Sequence, residues 1–242
     1  MSRSEGQVGW VLHRRPWRES SLLVEFFSQQ QGRIGLVARA ARSARSPWRG
    51  MLEPFCPLVA SWTRRGEMGT LTDIEAASNR RSLTGRGLWC GLYANELVLK
   101  LIARDDPAPE VFAAYGDLLS SLGAGESNAS AVRRFELQML AGIGVAPDLE
   151  RDAVDGEPIQ SGNLYHLDPE AGFIPTERWG AAVFTGEVIL AMASGELEEP
   201  VVARAGRKLM RQLINHQLAG RRLETRRLFE APSRQSSMKS GS

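Results

Sequence analysis

The chain has 242 residues, of which 43% are apolar, and carries 30 lysines and arginines against 28 aspartates and glutamates. This length exceeds one typical domain of roughly 150 residues, and the apolar content can bury a sizeable core, so we expect two domains with a small insert. No apolar run approaches the roughly 20 residues needed to cross a bilayer, and Cys56 and Cys90 are too few for a disulfide framework, which predicts a reduced cytoplasmic protein without a membrane partner.

The near-neutral total charge hides a segregation along the chain. Residues 1–80 carry 12 Lys/Arg and 7 Asp/Glu, residues 81–200 carry 8 and 19, and residues 201–242 carry 10 and 2. The net charges of these segments are therefore +5, −11 and +8. Basic ends around an acidic middle indicate a nucleic acid or an acidic partner at the ends.

The first 80 residues read as short β-strands. Alternating or continuous apolar runs predict strands at 8–12, 20–27, 33–41, 52–63 and 68–76. Five short strands joined by Gly, Pro and Arg favour a closed barrel over an open sheet, because closure removes exposed edges. Pro54 and Pro57 place the fourth strand at an edge or a bulge, since proline cannot donate to a central ladder.

A basic stretch follows the third predicted strand. Residues 33–50 contain no Asp or Glu, and their arginines are Arg33, Arg39, Arg42, Arg45 and Arg49. An external polyanion would supply the missing negative charge, and Trp48 could stack on an unpaired base while the arginines hold phosphates. The alternative is an ordinary solvated charged loop.

The remainder of the chain has helical periodicity. Helices are predicted at 87–104, 109–123, 130–143, 185–193 and 199–218, with a small β-rich insert within 156–173. These elements predict a barrel domain at 1–80, a helical domain at 81–150 and 181–232, an insert at 151–180, and a disordered tail at 233–242. The fold class expected is α+β.

Five segments together resemble the RecO family of bacterial recombination mediators in order and spacing. They are VLHRRPWRESSLLVEFFSQQQGRIGLVARAARS, LEPFCPL, GLYANEL, VRRFELQMLAGIG and FTGEV. The resemblance covers nearly the whole chain. It implies an N-terminal OB-fold, a helical domain, binding of single- and double-stranded DNA, strand annealing, and partnership with RecR and the single-strand DNA-binding protein to load RecA.

The chain departs from many members of that family at a four-cysteine zinc site. The matching positions are Asp152, Asp155 and the surroundings of Pro175 and Arg178, which carry no cysteine. Structural zinc is held by four Cys or His ligands, and His166 alone does not make a site. We therefore predict that the insert persists without metal, and we expect no cofactor.

The motifs of catalysis are missing from the sequence. There is no P-loop or G-x-G-x-x-G fingerprint, and the three histidines lie near no serine or cysteine signature. We therefore expect a protein that is not an enzyme. The family resemblance implies that it is associated with the nucleoid. The residues predicted to bind DNA are Arg33, Arg39, Arg42, Arg45, Trp48, Arg49, Arg64, Arg65, Arg221, Arg222, Arg226 and Arg227.

Two interpretations of these arginines remain open. In the first, they neutralise phosphates on two strands and so promote annealing. In the second, the protein is an adaptor whose arginines bind acidic partner tails. Arg133 and Arg134 in the third predicted helix are candidates for the acidic C-terminal tail of the single-strand DNA-binding protein, and the alternative is an internal pair with Glu136 or Glu96.

Overall fold

The computed structural model describes residues 2–77 and 82–230. Five strands form a closed barrel, and helices with a second, small sheet follow. The predicted α+β class with an N-terminal OB-fold barrel is confirmed. The tail predicted at 233–242 lies outside the described residues.

The barrel closes in the order β1-β2-β3-β5-β4. Its strands are β1 (Ser2–Trp17), β2 (Ser21–Ser28), β3 (Gly32–Ala38), β4 (Pro57–Arg64) and β5 (Gly69–Ala76). The β3–β5 pair is parallel, and the β1–β4 pair completes the ring. Alternate residues point inward, so Phe26, Ile34 and Trp62 are at most 1% exposed in the barrel interior.

Three of the five predicted strands have wrong boundaries. The strand predicted from residue 52 begins at Pro57, where the missing N–H does not interrupt a ladder. The strand predicted to end at residue 41 ends at Ala38, because Ala40 adopts a positive φ of 53° in a turn. β1 is longer than predicted because Ser2 to Trp10 pair with β4.

The helices lie near their predicted positions. They are α1 (Gly85–Leu101), α2 (Pro109–Ala124), α3 (Asn128–Gly142), α4 (Gly186–Ala193), α5 (Pro200–Leu218) and α6 (Arg226–Glu230). Local signals set their ends: Ser127 and Thr185 cap α3 and α4 by accepting from backbone amides, and Gly125 ends α2 at a φ of 80°. No helix in the described part of the chain is long and apolar enough to span a bilayer.

Aromatic contacts join the barrel to the helices. The rings of Trp10 and Phe27 pack on Phe112 of α2, with centroid distances of 4.3 and 5.4 Å. The amide of Asn95 in α1 donates to the Leu12 carbonyl at 2.7 Å. The outer face of two barrel strands is therefore part of the helical core.

The insert forms a three-stranded sheet in the order β7-β6-β8, from β6 (Leu164–Asp168), β7 (Gly172–Thr176) and β8 (Val183–Thr185). Tyr165, Phe173 and Phe184 are buried in it. The Asp152 carboxylate accepts hydrogen bonds from the amides of Val154 and Asp155, both at 2.9 Å. Within residues 2–77 and 82–230, no three His, Cys, Asp or Glu side chains are grouped to hold a metal.

Candidate nucleic-acid interface and partner pocket

The loop between β3 and β4 is a succession of backbone turns on the barrel surface. Amides at Ser43, Ser46 and Arg49 each donate three residues back, at 3.0, 3.2 and 3.3 Å. Ala41 and Leu52 anchor the two ends of the loop in the barrel core. The loop therefore holds its side chains on one ordered scaffold.

Four of the predicted arginines project from this loop. Arg39, Arg42, Arg45 and Arg49 are exposed, and none of them forms a salt bridge with another described residue. The Arg42 guanidinium donates to the Glu19 carbonyl at 3.4 Å. Four like charges without a carboxylate partner produce a positive potential that favours a polyanion.

A cavity of about 370 Å³ lies beside Trp48. The Trp48 ring is half-buried and packs against the barrel core. The remaining lining residues are Arg14, Leu22, Ala41, Arg42, Arg49, Gly50 and Glu53. A lining that combines an aromatic ring, apolar side chains and arginines can accommodate a flat base together with its phosphate.

The end of β1 and the turn that follows it add basic and aromatic residues that were not predicted from the sequence. Arg15 and Trp17 at the end of β1 and Arg18 in the turn are exposed, and the Arg18 guanidinium lies 6.0 Å from the Trp17 ring centroid. The Arg42 amide donates to the Ser20 carbonyl at 2.8 Å, so this turn adjoins the β3–β4 loop. The signal was present in the sequence as the dense run HRRPWR.

Arg33 and Arg64 are engaged inside the protein. The Arg33 side chain is 16% exposed and faces Glu25 at 3.5 Å, and burial lowers the pKa of Arg33. Arg64 forms two hydrogen bonds with Asp105, at 2.5 and 2.7 Å. These bonds raise the pKa of Arg64, whose other donors meet backbone carbonyls. Because Arg33 and Arg64 already have carboxylate partners, the proposed interface does not include them. Arg65 is exposed in the β4–β5 turn.

The C-terminal arginines are divided between internal and outward positions. The Arg221 guanidinium donates to the Lys100 carbonyl at 2.7 Å, and that of Arg226 to Asn215 at 2.6 Å. Arg222 and Arg227 are exposed, the latter 3.3 Å from Glu224. The structure therefore separates four arginines that the sequence grouped.

Glu96 of α1 holds this C-terminal segment in place. Its carboxylate accepts hydrogen bonds from the Glu224 amide at 2.8 Å, and from the Thr225 amide and hydroxyl at 2.9 and 2.6 Å. Burial alone would raise the pKa of Glu96, but these bonds hold it below its usual value. These bonds fix the segment against α1, and α6, which follows it, lines a second cavity.

That second cavity, of about 400 Å³, lies among α1, α3, α5 and α6, and we call it the arginine pocket. Its arginines are Arg86, Arg133, Arg207, Arg211 and Arg226. Val132, Tyr93 and Phe229 supply apolar surface, and the Phe229 ring lies edge-on to Tyr93 at 6.3 Å. The pocket combines a cluster of guanidiniums with room for one hydrophobic side chain.

Glu136 lies at the base of the arginine pocket and is 1% exposed. The Tyr93 hydroxyl donates to one carboxylate oxygen at 2.5 Å. Arg133 makes an ion-pair contact with the other oxygen, which accepts no hydrogen bond from a described residue. Burial raises the pKa of Glu136, against the opposing influence of Arg133.

The two candidate arginines of α3 are in different environments. The Arg133 side chain is 13% exposed and has the internal partner that the sequence offered as an alternative, Glu136. Arg134 points away, 49% exposed and 4.0 Å from Glu126. Only Arg133 lines the arginine pocket.

The structure belongs to the class of proteins that join a small closed β-barrel to a helical bundle. Residues 1–80 match the family described as recombination protein O N terminal, and residues 83–227 match recombination protein O C terminal. The chain belongs to the RecO family, and its role is in DNA repair and recombination.

Relatives named DNA repair protein RecO extend over most of the chain. The protein of Azoarcus sp. strain BH72 is 40% identical over 233 residues, covering 94% of this chain and 96% of that one. That of Laribacter hongkongensis is 42% identical, covering 93% of each chain. That of Halorhodospira halophila is 43% identical over 237 residues, covering 96% of this chain and 99% of its own.

Proposed function

We propose that this protein is a DNA-binding recombination mediator that anneals complementary strands. With RecR, it helps to load RecA onto DNA coated by single-strand DNA-binding protein. The observation that carries the DNA-binding part is the set of four exposed arginines in the β3–β4 loop, none of which is paired with a carboxylate in the described residues. Two of them, Arg42 and Arg49, line the Trp48 cavity. The partnership with RecR rests on membership of the family.

Annealing on such a surface requires no covalent chemistry. Two strands repel each other through their phosphates, and guanidiniums that neutralise phosphates on both lower this repulsion. The loop arginines hold the DNA backbone, and Trp48 stacks on an unpaired base. These arginines are Arg39, Arg42, Arg45 and Arg49. The same surface is extended by Arg15 at the end of β1 and by Arg18 in the turn after it.

The test of DNA binding is the salt dependence of affinity. Arg42→Ala combined with Arg49→Ala should weaken binding to every single-stranded sequence and reduce the log-log salt slope by roughly 0.7 for each phosphate that is no longer neutralised. The affinity is measured by fluorescence anisotropy of a labelled oligonucleotide at several salt concentrations. Arg178→Ala combined with Arg204→Ala, which removes the same charge from exposed positions elsewhere, is the control. Equal slopes in wild type and the loop variant would refute the assignment.

The arginine pocket supports the partner-binding part of the proposal. A hydrophobic C-terminal residue would enter beside Val132 and Phe229, and its carboxylates would meet the guanidiniums, which bind carboxylates bidentately. The proposed occupant is the acidic C-terminal tail of the single-strand DNA-binding protein. This pocket also favours a second candidate function, that of an adaptor that binds acidic partner tails. DNA binding and tail binding are compatible, because the arginine pocket and the barrel loop are built from different residues.

The tail assignment is tested with a synthetic peptide of that tail and a scrambled control. Arg133→Ala and Arg207→Ala should each weaken peptide binding by roughly tenfold, the scale of one charge-assisted hydrogen bond, while Arg134→Ala should not. Arg207 is included because Arg133→Ala also leaves buried Glu136 without its counter-charge. Isothermal titration calorimetry measures the affinity of the peptide for each variant, and an unchanged circular dichroism spectrum shows that the variant is folded. Loss of binding in Arg134→Ala alone would place the site elsewhere.

A further inference from the structure

The cavity beside Trp48 contains one carboxylate among its arginines. Glu53 Oε1 lies 2.6 Å from Arg14 Nη2, with the two side chains 38% and 36% exposed. Both residues line the cavity, and Glu53 is the only acidic one that does so in the described residues. The cavity wall therefore presents a fixed acceptor next to a fixed donor.

This carboxylate is unfavourable for a surface that only neutralises phosphates. Glu53 repels a phosphate and offsets part of the charge of Arg14, Arg42 and Arg49. An acceptor at this place needs a ligand with a hydrogen-bond donor. Nucleobases carry such donors, and phosphates carry none.

We propose that the cavity takes one unpaired base and that the Arg14–Glu53 pair contacts the Watson–Crick edge of that base; this inference rests on the proposed function. A guanidinium can only donate and a carboxylate can only accept. Every base has a donor and an acceptor side by side on that edge: an amino group beside a ring nitrogen, or a ring N–H beside a carbonyl. The pair therefore matches any base.

The cavity would therefore distinguish an unpaired base from a paired one, whatever the base sequence. In a duplex the complementary base occupies the Watson–Crick edge, so the Arg14–Glu53 pair cannot reach it. The stacking face of Trp48 and the cavity volume of about 370 Å³ suit a single base that has left the stack. When a complementary strand arrives, its base competes for the same edge and releases the base from the cavity.

Glu53→Ala distinguishes this role from simple repulsion, because the two predict changes of opposite sign. Removal of a base contact should weaken single-strand binding several-fold. Removal of a repelling charge should strengthen duplex binding, so the ratio of single-strand to duplex affinity should fall about tenfold, the scale of one base-edge contact. Glu19→Ala is the control, because it removes the same charge from the adjoining turn, outside the cavity. It should strengthen single-strand and duplex binding equally and leave the ratio of the two affinities unchanged.

The affinities are measured by fluorescence anisotropy with a labelled single strand and a hairpin duplex of equal length at one salt concentration. Arg14→Gln is the second variant, since it removes the charged donor and leaves Glu53 in place. It should also lower the ratio. Equal strengthening of both substrates by Glu53→Ala would overturn the inference while leaving the proposed function intact. Absence of salt-dependent binding in wild type, measured over several salt concentrations as in the test of DNA binding, would overturn the proposed function itself.

Discussion

Trp48 both packs on the barrel core and lines the candidate binding cavity. Arg42 and Arg49 also contribute to the lining of this cavity. A tryptophan held in this way loses little further freedom when a base stacks on it, because packing has already ordered the side chain. The residue is therefore suited to hold an unpaired base.

Trp48→Ala should reduce single-strand affinity by roughly 1–3 kcal/mol and affect duplex binding less, since duplex bases are already stacked. Anisotropy titrations with both substrates measure the difference. Trp179→Ala, which removes a ring that is 69% exposed in the insert region, is the control and should change neither. Equal losses on single strands and duplexes would assign Trp48 a packing role only.

At the level of elements, the insert keeps its sheet through apolar packing. Phe173 and Phe184 contact edge-on at 6.3 Å, and the Tyr165 hydroxyl accepts from the Gln160 amide at 2.8 Å. Asp152 caps its own turn through two amides, and backbone hydrogen bonds lower the pKa of its carboxyl. The Asp152 carboxylate thus has a local structural role.

Metal analysis of the purified protein should find no stoichiometric zinc, and a chelator should leave the melting temperature unchanged. Structural zinc contributes directly to folding where it is present, so its removal would lower that temperature. Calorimetry with and without the chelator measures this, with a four-cysteine RecO protein as the positive control. One zinc per chain would contradict the prediction.

At the level of the whole molecule, charged pairs fix the barrel on the helices. Arg64 at the end of β4 binds Asp105 between α1 and α2, and Arg104 pairs with Glu25 of β2. The hydrogen bonds from Arg64 lower the pKa of Asp105. The pair therefore stabilises the protein above the unfolded pKa of about 3.9, and this contribution is lost as the pH falls through the lower folded value.

Asp105→Asn should lower the free energy of unfolding at pH 7 by up to about 1 kcal/mol, the usual size for a partly exposed pair. The difference from wild type should be smaller at pH 3 than at pH 7, because the charged fraction of Asp105 falls as the pH drops toward its lowered pKa. Asparagine tolerates the positive φ of 61° at this position, so the variant isolates the charge. Urea unfolding at both pH values measures the effect, and an equal difference at both would exclude the ion pair as its cause.

The position and type of the main elements could be predicted from the sequence. Alternation of apolar residues in β2, the helical spacing in α1 to α3, and caps such as Thr185 act within a few residues. The boundary at Pro57 could not be predicted as well, because a proline is compatible with several positions at a strand start. The local basic stretch likewise identified Arg42, Arg45 and Arg49 as one exposed group.

The sequence by itself determined the barrel, the helices and the concentration of arginines, because these depend on neighbours along the chain. Only the tertiary structure decided which arginines are available to a partner. Arg64 is bound by Asp105, 41 positions away, whereas Arg42 has no carboxylate partner among the described residues. Ion pairs and pockets are made between segments distant in sequence, and the spacing of residues carries no signal for them.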